Sequence, residues 1–448
     1  MKTLQNFPYK RVLVLGLAKS GKAAAQLLYD SGVTFLINDQ TPLEDNPIAE
    51  QFQRLGVEVV TGGHPISVLD GVDLVVKNPG IPHSHHIVEQ AEFKGIPVVT
   101  EVELAYQLID GPLVAITGTN GKTTTTTLIY EILKEGNKEP LIAGNIGKVA
   151  SEVVRNQKSG QPVVMELSSF QLKATKHLKP DIAVLLNLTE AHLDYHETRQ
   201  DYVESKWNIT KNQTKGDVLV VNDDDPSINH LQKDSLVKRV PFSMKQLLDN
   251  GISFVDGSIY VNGHRLVVRK DIALPGKHNL ENVLASIAVA RQLGVTDQVI
   301  LKVLKTFSGV KHRLQFVSKK EGRLFYNDSK ATNILATTKA IQAFDQSIVL
   351  IAGGLDRGNG FDELIHQFEN VKHCVAYGES ATKIKNAASK YDYDAITIVE
   401  SLEQAVNVAY QQSDPGDIVL LSPACASWDQ FSSFETRGDM FIDVVHKL

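Results

Sequence analysis

The stretch ITGTNGKTTTTTLIYEIL, residues 116–133, decides the architecture. An apolar strand runs into Gly118, Thr119, Asn120, Gly121, Lys122 and Thr123, and a helix-length run follows. Glycines let backbone N–H groups wrap a phosphate, the helix N-terminus adds a positive dipole end, and Lys122 adds a point charge. Thr123 offers a hydroxyl to Mg²⁺, as the residue after the loop lysine does in such loops. The usual eight-residue pattern has glycine five positions before Gly121; here that position is Ile116, so the loop is a compact variant. The competing reading is a glycine-rich turn capping a helix with an exposed lysine. The order strand, loop, helix favours phosphate binding.

Outward from this loop, short apolar runs alternate with amphipathic runs of helix length, the signature of α/β units around largely parallel sheets. Runs at 11–17, 33–37, 57–60, 74–76 and 97–99 read as strands of a first series. A second series opens at 112–117 and continues at 162–167, 181–186 and 217–221. Within 252–270, Asp256-Gly257 and Asn262-Gly263 separate β-rich runs, which predicts a small antiparallel extension. The run 279–293 reads as a helix. A third series has strands at 323–326, 347–352, 374–377, 396–399 and 417–421. The 448 residues, at roughly 150 per domain, suit three domains, with expected bounds 1–105, 106–309 and 310–448.

The formal net charge is 46 − 52 = −6, which argues against a nucleic-acid binder. Small anions remain compatible, because local geometry holds them. Two cysteines, Cys374 and Cys425, cannot make a disulfide framework, so a reducing compartment is expected. Residues 12–18 are too short for a signal-peptide core and are closed by Lys19; no run approaches a membrane span. A soluble, cytoplasmic, monomeric protein with no membrane insertion is the expectation.

Other motifs are less specific. GLAKSG, from Gly16 through Ala18, Lys19 and Ser20 to Gly21, follows a strand and opens a helix, and Asp39 ends the next strand. This resembles a dinucleotide fingerprint with alanine as its middle glycine, so a structural tight turn competes with a nucleotide site. LLNLTEAHLDYHE, residues 185–197, delivers Asn187, Glu190, His192, Asp194 and His196 to a strand-end loop, and Glu166 ends another strand. Such groups suit Mg²⁺ or a phosphate; a solvated polar loop is the alternative. Lys206, on a helix, reads as a solvated face residue. In the third series Asp328, Ser329, Lys330, Thr332, Arg357 and Ser427 follow strands and can bind carboxylates, phosphates or a cation. Cys425 has no histidine neighbour in sequence and reads as a packed thiol.

GTNGKT, NLTEAHLD, GKHN, HR, NDSKATN and LSPACASWDQF occur in an order that resembles the Mur ligases over essentially the whole chain. The resemblance implies an α/β protein of three domains: a Rossmann-like N-terminal domain, a central P-loop ATPase-type domain and a Rossmann-like C-terminal domain. It implies an ATP-dependent ligase that adds D-glutamate to UDP-N-acetylmuramoyl-L-alanine through an acyl phosphate, with Mg²⁺, two ions expected. ATP would be held by Gly118, Thr119, Asn120, Gly121, Lys122, Thr123, Thr124, Asn279, Asn282, Arg313 and Asp328. Thr123, Glu166, His192 and a carbamylated Lys206 would serve the metal. Gly16, Ala18, Lys19, Ser20, Gly21, Asp39, Asn78, Gly80 and Asn145 would hold the UDP substrate. Lys330, Thr332, Arg357, Ser427 and Phe434 would surround D-glutamate. Lys122, His192, Lys206 and Lys330 would be the catalytic set. Three departures stand out: Ala18 for glycine, Ala191 for an aspartate and Arg357 for lysine. Alternatives outside this reading are a sister ligase for another amino acid or folate, an NAD-dependent oxidoreductase, and a nucleotide switch protein.

Overall fold

The computed structural model describes residues 1–189, 196, 198–231, 237–276 and 278–448. Three sheets lie in two compact units, Met1–Asp271 with His278–Leu304, and Ile272–Lys277 with Lys305–Leu448.

In the first unit, β1 (Arg11–Leu15), β2 (Thr34–Asp39), β3 (Glu58–Thr61), β4 (Leu74–Lys77) and β5 (Val98–Val99) form an all-parallel sheet in the order β3-β2-β1-β4-β5. Successive residues of β1 serve opposite faces: Val12 and Val14 join one core, Leu13 and Leu15 the other. Burial on both faces is why parallel strands read as unbroken apolar runs.

The same unit holds a nine-stranded sheet of β6 (Leu113–Thr117), β7 (Leu141–Gly144), β8 (Val163–Glu166), β9 (Ile182–Leu185), β10 (Val218–Asn222), β11 (Lys238–Ser243), β12 (Ile252–Val255), β13 (Ser258–Val261) and β14 (His264–Val268). Its order is β14-β13-β12-β11-β10-β9-β6-β8-β7. The last two pairings, β12 with β13 and β13 with β14, are antiparallel, as the Asp-Gly and Asn-Gly signals predict. Asp256, Gly257, Asn262 and Gly263 all take positive φ, which a tight two-residue hairpin turn requires. One core runs without a break from β1 to Leu113, Met165, Leu185 and Leu219 of the second sheet.

The second unit has β15 (Gln315–Lys320), β16 (Arg323–Asn327), β17 (Ile348–Gly353), β18 (Val371–Tyr377), β19 (Ile396–Ile398) and β20 (Ile418–Leu421), ordered β15-β16-β20-β17-β18-β19. Only β15 runs antiparallel. Ile348, Leu350 and Ala352 face one core, Val349 and Ile351 the other. In all three sheets the parallel strands deliver their C-terminal ends to loops, where ligands of open α/β sheets sit.

The periodic pattern missed β7, β11 and β15. β7 is a four-residue strand ending in glycine, and β15 carries no buried residue. β11 contains Pro241 and starts with two exposed basic residues. Proline is tolerated because β12 pairs only with Phe242 and Ser243 beyond it.

Candidate active site

β6 ends at Thr117, and the helix Lys122–Glu135 begins after a loop of four residues. Gly118 (φ +153) and Gly121 (φ +83) take conformations closed to other residues, and a Cβ at Gly118 would lie 2.9 Å from Leu186 Cβ. The next strand end clamps the loop: Thr119 N donates to Asn187 O (2.9 Å) and Asn120 N to Asn187 Oδ1 (2.8 Å). Thr119 Oγ1 also lies 2.9 Å from Tyr202 OH. Thr123 and Thr124 are buried in the first helical turn. Asn282 Nδ2 donates to Asn279 Oδ1 (3.0 Å), and Asn282 Oδ1 accepts from Thr125 Oγ1 (3.2 Å), which ties the helix His278–Gln292 to the phosphate loop.

Lys122 Nζ donates to Gly118 O (2.8 Å) and Thr119 O (2.9 Å). Lys206 Nζ donates to the same Gly118 O at 2.8 Å and lies 4.7 Å from the Tyr202 ring centre. The expectation of a solvated face for Lys206 fails: the residue is 2% exposed. Burial, then the Lys122 charge, push its pKa down to about 6, and Glu166 opposes them. The amine is therefore neutral near pH 7.5. Glu166 ends β8, is buried, and accepts from Asn145 Nδ2 at Oε1 (2.9 Å). Its Oε2 is buried without a hydrogen-bond partner.

A buried carboxylate oxygen left without a partner fits a hard divalent cation. Among the described residues no three His, Cys, Asp or Glu side chains group into a metal site. His192, Glu190 and Asp194 lie outside the described residues.

His196 is placed and does not reach a ligand position. Its Nδ1 meets Asp201 Oδ2 at 2.9 Å and its Nε2 meets Ser169 Oγ at 2.8 Å. Asp201 also accepts from Lys173 Nζ (2.7 Å). These bonds join the helix Ser169–Lys173, just after Glu166, to the helix Arg199–Trp207 that carries Lys206. Each helix starts on a capping side chain, Ser168 and Thr198 respectively. Tyr202 and this Lys173–Asp201–His196 relay escaped sequence reading; Asp201 four residues before Ser205 reads only as a helix-start acid.

At the end of the first sheet the GLAKSG turn and the NPG loop meet. Asn78 Nδ2 donates to Ser20 Oγ (3.0 Å), and Gly80 N to Asn78 Oδ1 (3.1 Å). A Cβ at Gly21 would lie 1.8 Å from Gly16 O, so glycine is obligatory there. Asp39 accepts from Leu17 N (2.7 Å) and Thr41 N (2.9 Å), using both oxygens on the turn itself. Ala18 and Lys19 sit at the start of the helix Lys19–Asp30. Buried Lys77 donates to Ile81 O (2.8 Å), bracing the NPG loop from beneath.

In the second unit Asp328 is buried and accepts from Leu314 N (3.1 Å) and Ser422 Oγ (3.0 Å). Burial pushes its pKa up to about 7, against those bonds and the Arg313 charge. Lys330 Nζ stands 5.7 Å from the Phe434 ring centre, and Arg357 stacks 4.9 Å from that of Trp428. Thr332 is half-buried and Ser427 buried on the neighbouring loops. Cys425 is buried, 3.3 Å from Ser380 Oγ, and burial raises its pKa, which suits a packed thiol.

The chain matches the Mur ligase MurD-like N-terminal domain over residues 10–100, the Mur ligase middle domain over 116–290 and the Mur ligase glutamate ligase domain over 312–425. It is 54% identical over 450 residues to the UDP-N-acetylmuramoylalanine–D-glutamate ligase of Geobacillus kaustophilus, covering 100% of both chains. The enzyme of that name from Bacillus cereus is 53% identical over 449 residues, again covering 100% of each. Among solved structures, the UDP-N-acetylmuramate-alanine ligase of Thermotoga maritima is 20% identical with a TM-score of 0.57, over 98% of this chain and 99% of that one.

Proposed function

The chain belongs to the Mur ligase family, and from that premise we infer how its own residues join D-glutamate to UDP-N-acetylmuramoyl-L-alanine at the expense of ATP. The reaction forms an amide, releases ADP and phosphate, and serves peptidoglycan precursor synthesis. Three substrates match three domains, one each in 1–105, 106–309 and 310–448, with the cytoplasm as the place of action and a monomer as the working unit.

The observation that carries the reading is the meeting of Lys122 and Lys206 on Gly118 O beside the orphaned Glu166 oxygen. Backbone N–H groups at the N-terminus of the helix Lys122–Glu135, with Lys122, cradle the triphosphate. Thr123, Glu166, Lys206 and His192 would hold Mg²⁺, which would supply positive charge to the phosphate oxygens. Lys206 is neutral at working pH, the form that adds carbon dioxide. Its carbamate would place oxygens, in place of an amine, beside Glu166, and oxygens are what Mg²⁺ prefers.

The L-alanyl carboxylate attacks the γ-phosphate. At about 4 Å the two anions repel by roughly 4 kcal/mol per charge pair at an effective dielectric of 20, so cations must offset them. Lys122 and Lys330 do so from the protein. Lys330, Thr332, Arg357, Ser427 and Phe434 hold D-glutamate so that its amine attacks the acyl phosphate. Asn279, Asn282, Arg313 and Asp328 hold the nucleotide. Gly16, Ala18, Lys19, Ser20, Gly21, Asp39, Asn78, Gly80 and Asn145 hold the UDP substrate. With little covalent work for the protein, orientation supplies about 7–11 kcal/mol of the barrier reduction.

The test is phosphate release with ATP, Mg²⁺ and UDP-N-acetylmuramoyl-L-alanine while the amino acid is varied. D-Glutamate should drive turnover. Equal turnover with L-glutamate, glycine or a diamino acid would overturn the reading.

A further inference from the structure

Arg437 is among the largest fully buried side chains of the described residues and belongs to none of the binding sets above. It lies in the first turns of the helix Phe434–Lys447. Its Nε donates to Ser329 Oγ (2.9 Å), and its Nη2 donates to Ser329 O (2.9 Å) and Cys425 O (3.0 Å). Ser329 Oγ passes the connection on to Phe434 O (2.8 Å). On its remaining side, Nη1 faces Gly354, where a Cβ would stand 3.2 Å away. That glycine loop is itself joined to the 423–427 loop by Gly353 N to Pro423 O (2.8 Å) and Leu355 N to Ala426 O (3.0 Å).

One guanidinium thus touches the loops after β16, β17 and β20, and through Ser329 Oγ it is linked to the start of its own helix. These four segments carry Lys330 and Thr332, Arg357, Ser427, and Phe434, every residue assigned above to D-glutamate. The fork geometry of guanidinium suits this, since a lysine ammonium cannot present donors along three fixed directions.

The charge is as informative as the geometry. All three acceptors are neutral, two carbonyls and a hydroxyl, and among the described residues no carboxylate pairs with the guanidinium. A cation buried without an ion pair is costly, and a same-sized apolar side chain would avoid that cost. Its field, in turn, is little screened by solvent. At Tyr377 burial pushes the hydroxyl up to about 12, and the neighbouring Arg437 guanidinium opposes the rise.

We propose that Arg437 is a positioning residue for the amino-acid substrate: it locks the four segments that surround D-glutamate into one frame and lends them a positive potential toward a dicarboxylate. This rests on the D-glutamate reading above. It acts through its neighbours and touches no reactant.

The test compares Arg437→Lys, which keeps the charge, with Arg437→Met, which keeps the bulk, measuring KM for each of the three substrates. The expected result is a D-glutamate KM raised roughly tenfold or more in Arg437→Met, about the scale of a small misplacement in an active site. The rise should be smaller in Arg437→Lys, with the KM of ATP and of the UDP substrate unchanged in both. Equal D-glutamate KM in the two variants, or a parallel rise in all three KM values, overturns the proposal. Should Arg437→Met not fold, Ser329→Ala removes the Nε acceptor and the link to Phe434 while leaving the guanidinium in place. A raised D-glutamate KM alone supports the proposal, and an unchanged one overturns it. Wild-type protein without D-glutamate-dependent turnover would instead refute the function itself, so the two failures are distinct.

Discussion

Adding one methyl group at Gly121 should disable ATP use through a neighbour distant in sequence. Gly121 has φ +83, and a Cβ there would lie 2.1 Å from Asn282 Oδ1 and 3.0 Å from its Cγ. Alanine in that left-handed conformation costs about 1–2 kcal/mol. Asn282 is buried, so it escapes the clash only by giving up its bonds with Thr125 and Asn279, each worth about 1 kcal/mol. The sum is about 3–4 kcal/mol, or roughly 100- to 1,000-fold in kcat/KM for ATP. The decisive assay is a cycle of Gly121→Ala, Asn282→Ala and the double variant, followed by ATP-dependent phosphate release. Where Asn282 is already truncated, Gly121→Ala should lose only the conformational strain, about tenfold, which leaves a coupling of about 2 kcal/mol between the two sites. Calorimetric binding of the UDP substrate should not change. Equal effects of Gly121→Ala in both backgrounds would show that the asparagine does not sense the loop, and the structural reasoning would fall.

Two further outcomes follow from buried lysines. After equilibration with labelled bicarbonate, carbon-13 NMR should show one carbamate resonance that Lys206→Ala lacks, and identical spectra would rule out the modification. Burial, then the Lys173 charge, lower Lys77 to about 7 while Glu92 opposes them. The unfolded chain, with its lysine near 10.5, therefore binds one more proton between about pH 7 and 10.5, so folding stability gains about 1.4 kcal/mol per pH unit as pH rises through that window. Below pH 7 the burial penalty is present in full, about 5 kcal/mol across the window. Lys77→Met should flatten the rise in urea resistance measured from pH 7 to 9; parallel profiles for the two proteins would contradict the assigned burial.

What was legible in the chain follows from which physics acts locally. The phosphate loop and both hairpins depend on glycines and asparagines at positions that need positive φ, and those residues announce themselves in sequence. β11 and β15 did not: β11 is interrupted by Pro241 and opens on exposed basic residues, and β15 is an edge strand with no buried residue, so neither shows the apolar run that marks a central strand. Asp39 ends its strand like the acid of a dinucleotide fingerprint, and in the fold its two oxygens accept from Leu17 N of the GLAKSG turn and from Thr41 N. Charged residues on helices are hardest to read. Lys206 and Arg437 sit in polar stretches that pattern assigns to solvent, and both are buried because the loops that accept their donors come from strands far away in sequence. The resemblance to the Mur ligases singled out the lysine; nothing in the sequence singled out the arginine.

The central site explains why such burial is tolerated. A carboxylate oxygen without a partner and an amine driven to neutrality are each unfavourable in a packed interior. On the proposed reading a cation would satisfy the oxygen, and carbon dioxide would convert the amine into a further oxygen donor for that cation. The relay of Lys173, Asp201, His196 and Ser169 ties the helix that follows Glu166 to the helix that carries Lys206, which opposes separation of the two groups. Local instability is thereby held ready for the ligands that remove it, and ATP with its metal should raise the thermal midpoint of the first unit more than either Lys206→Ala or Glu166→Gln allows.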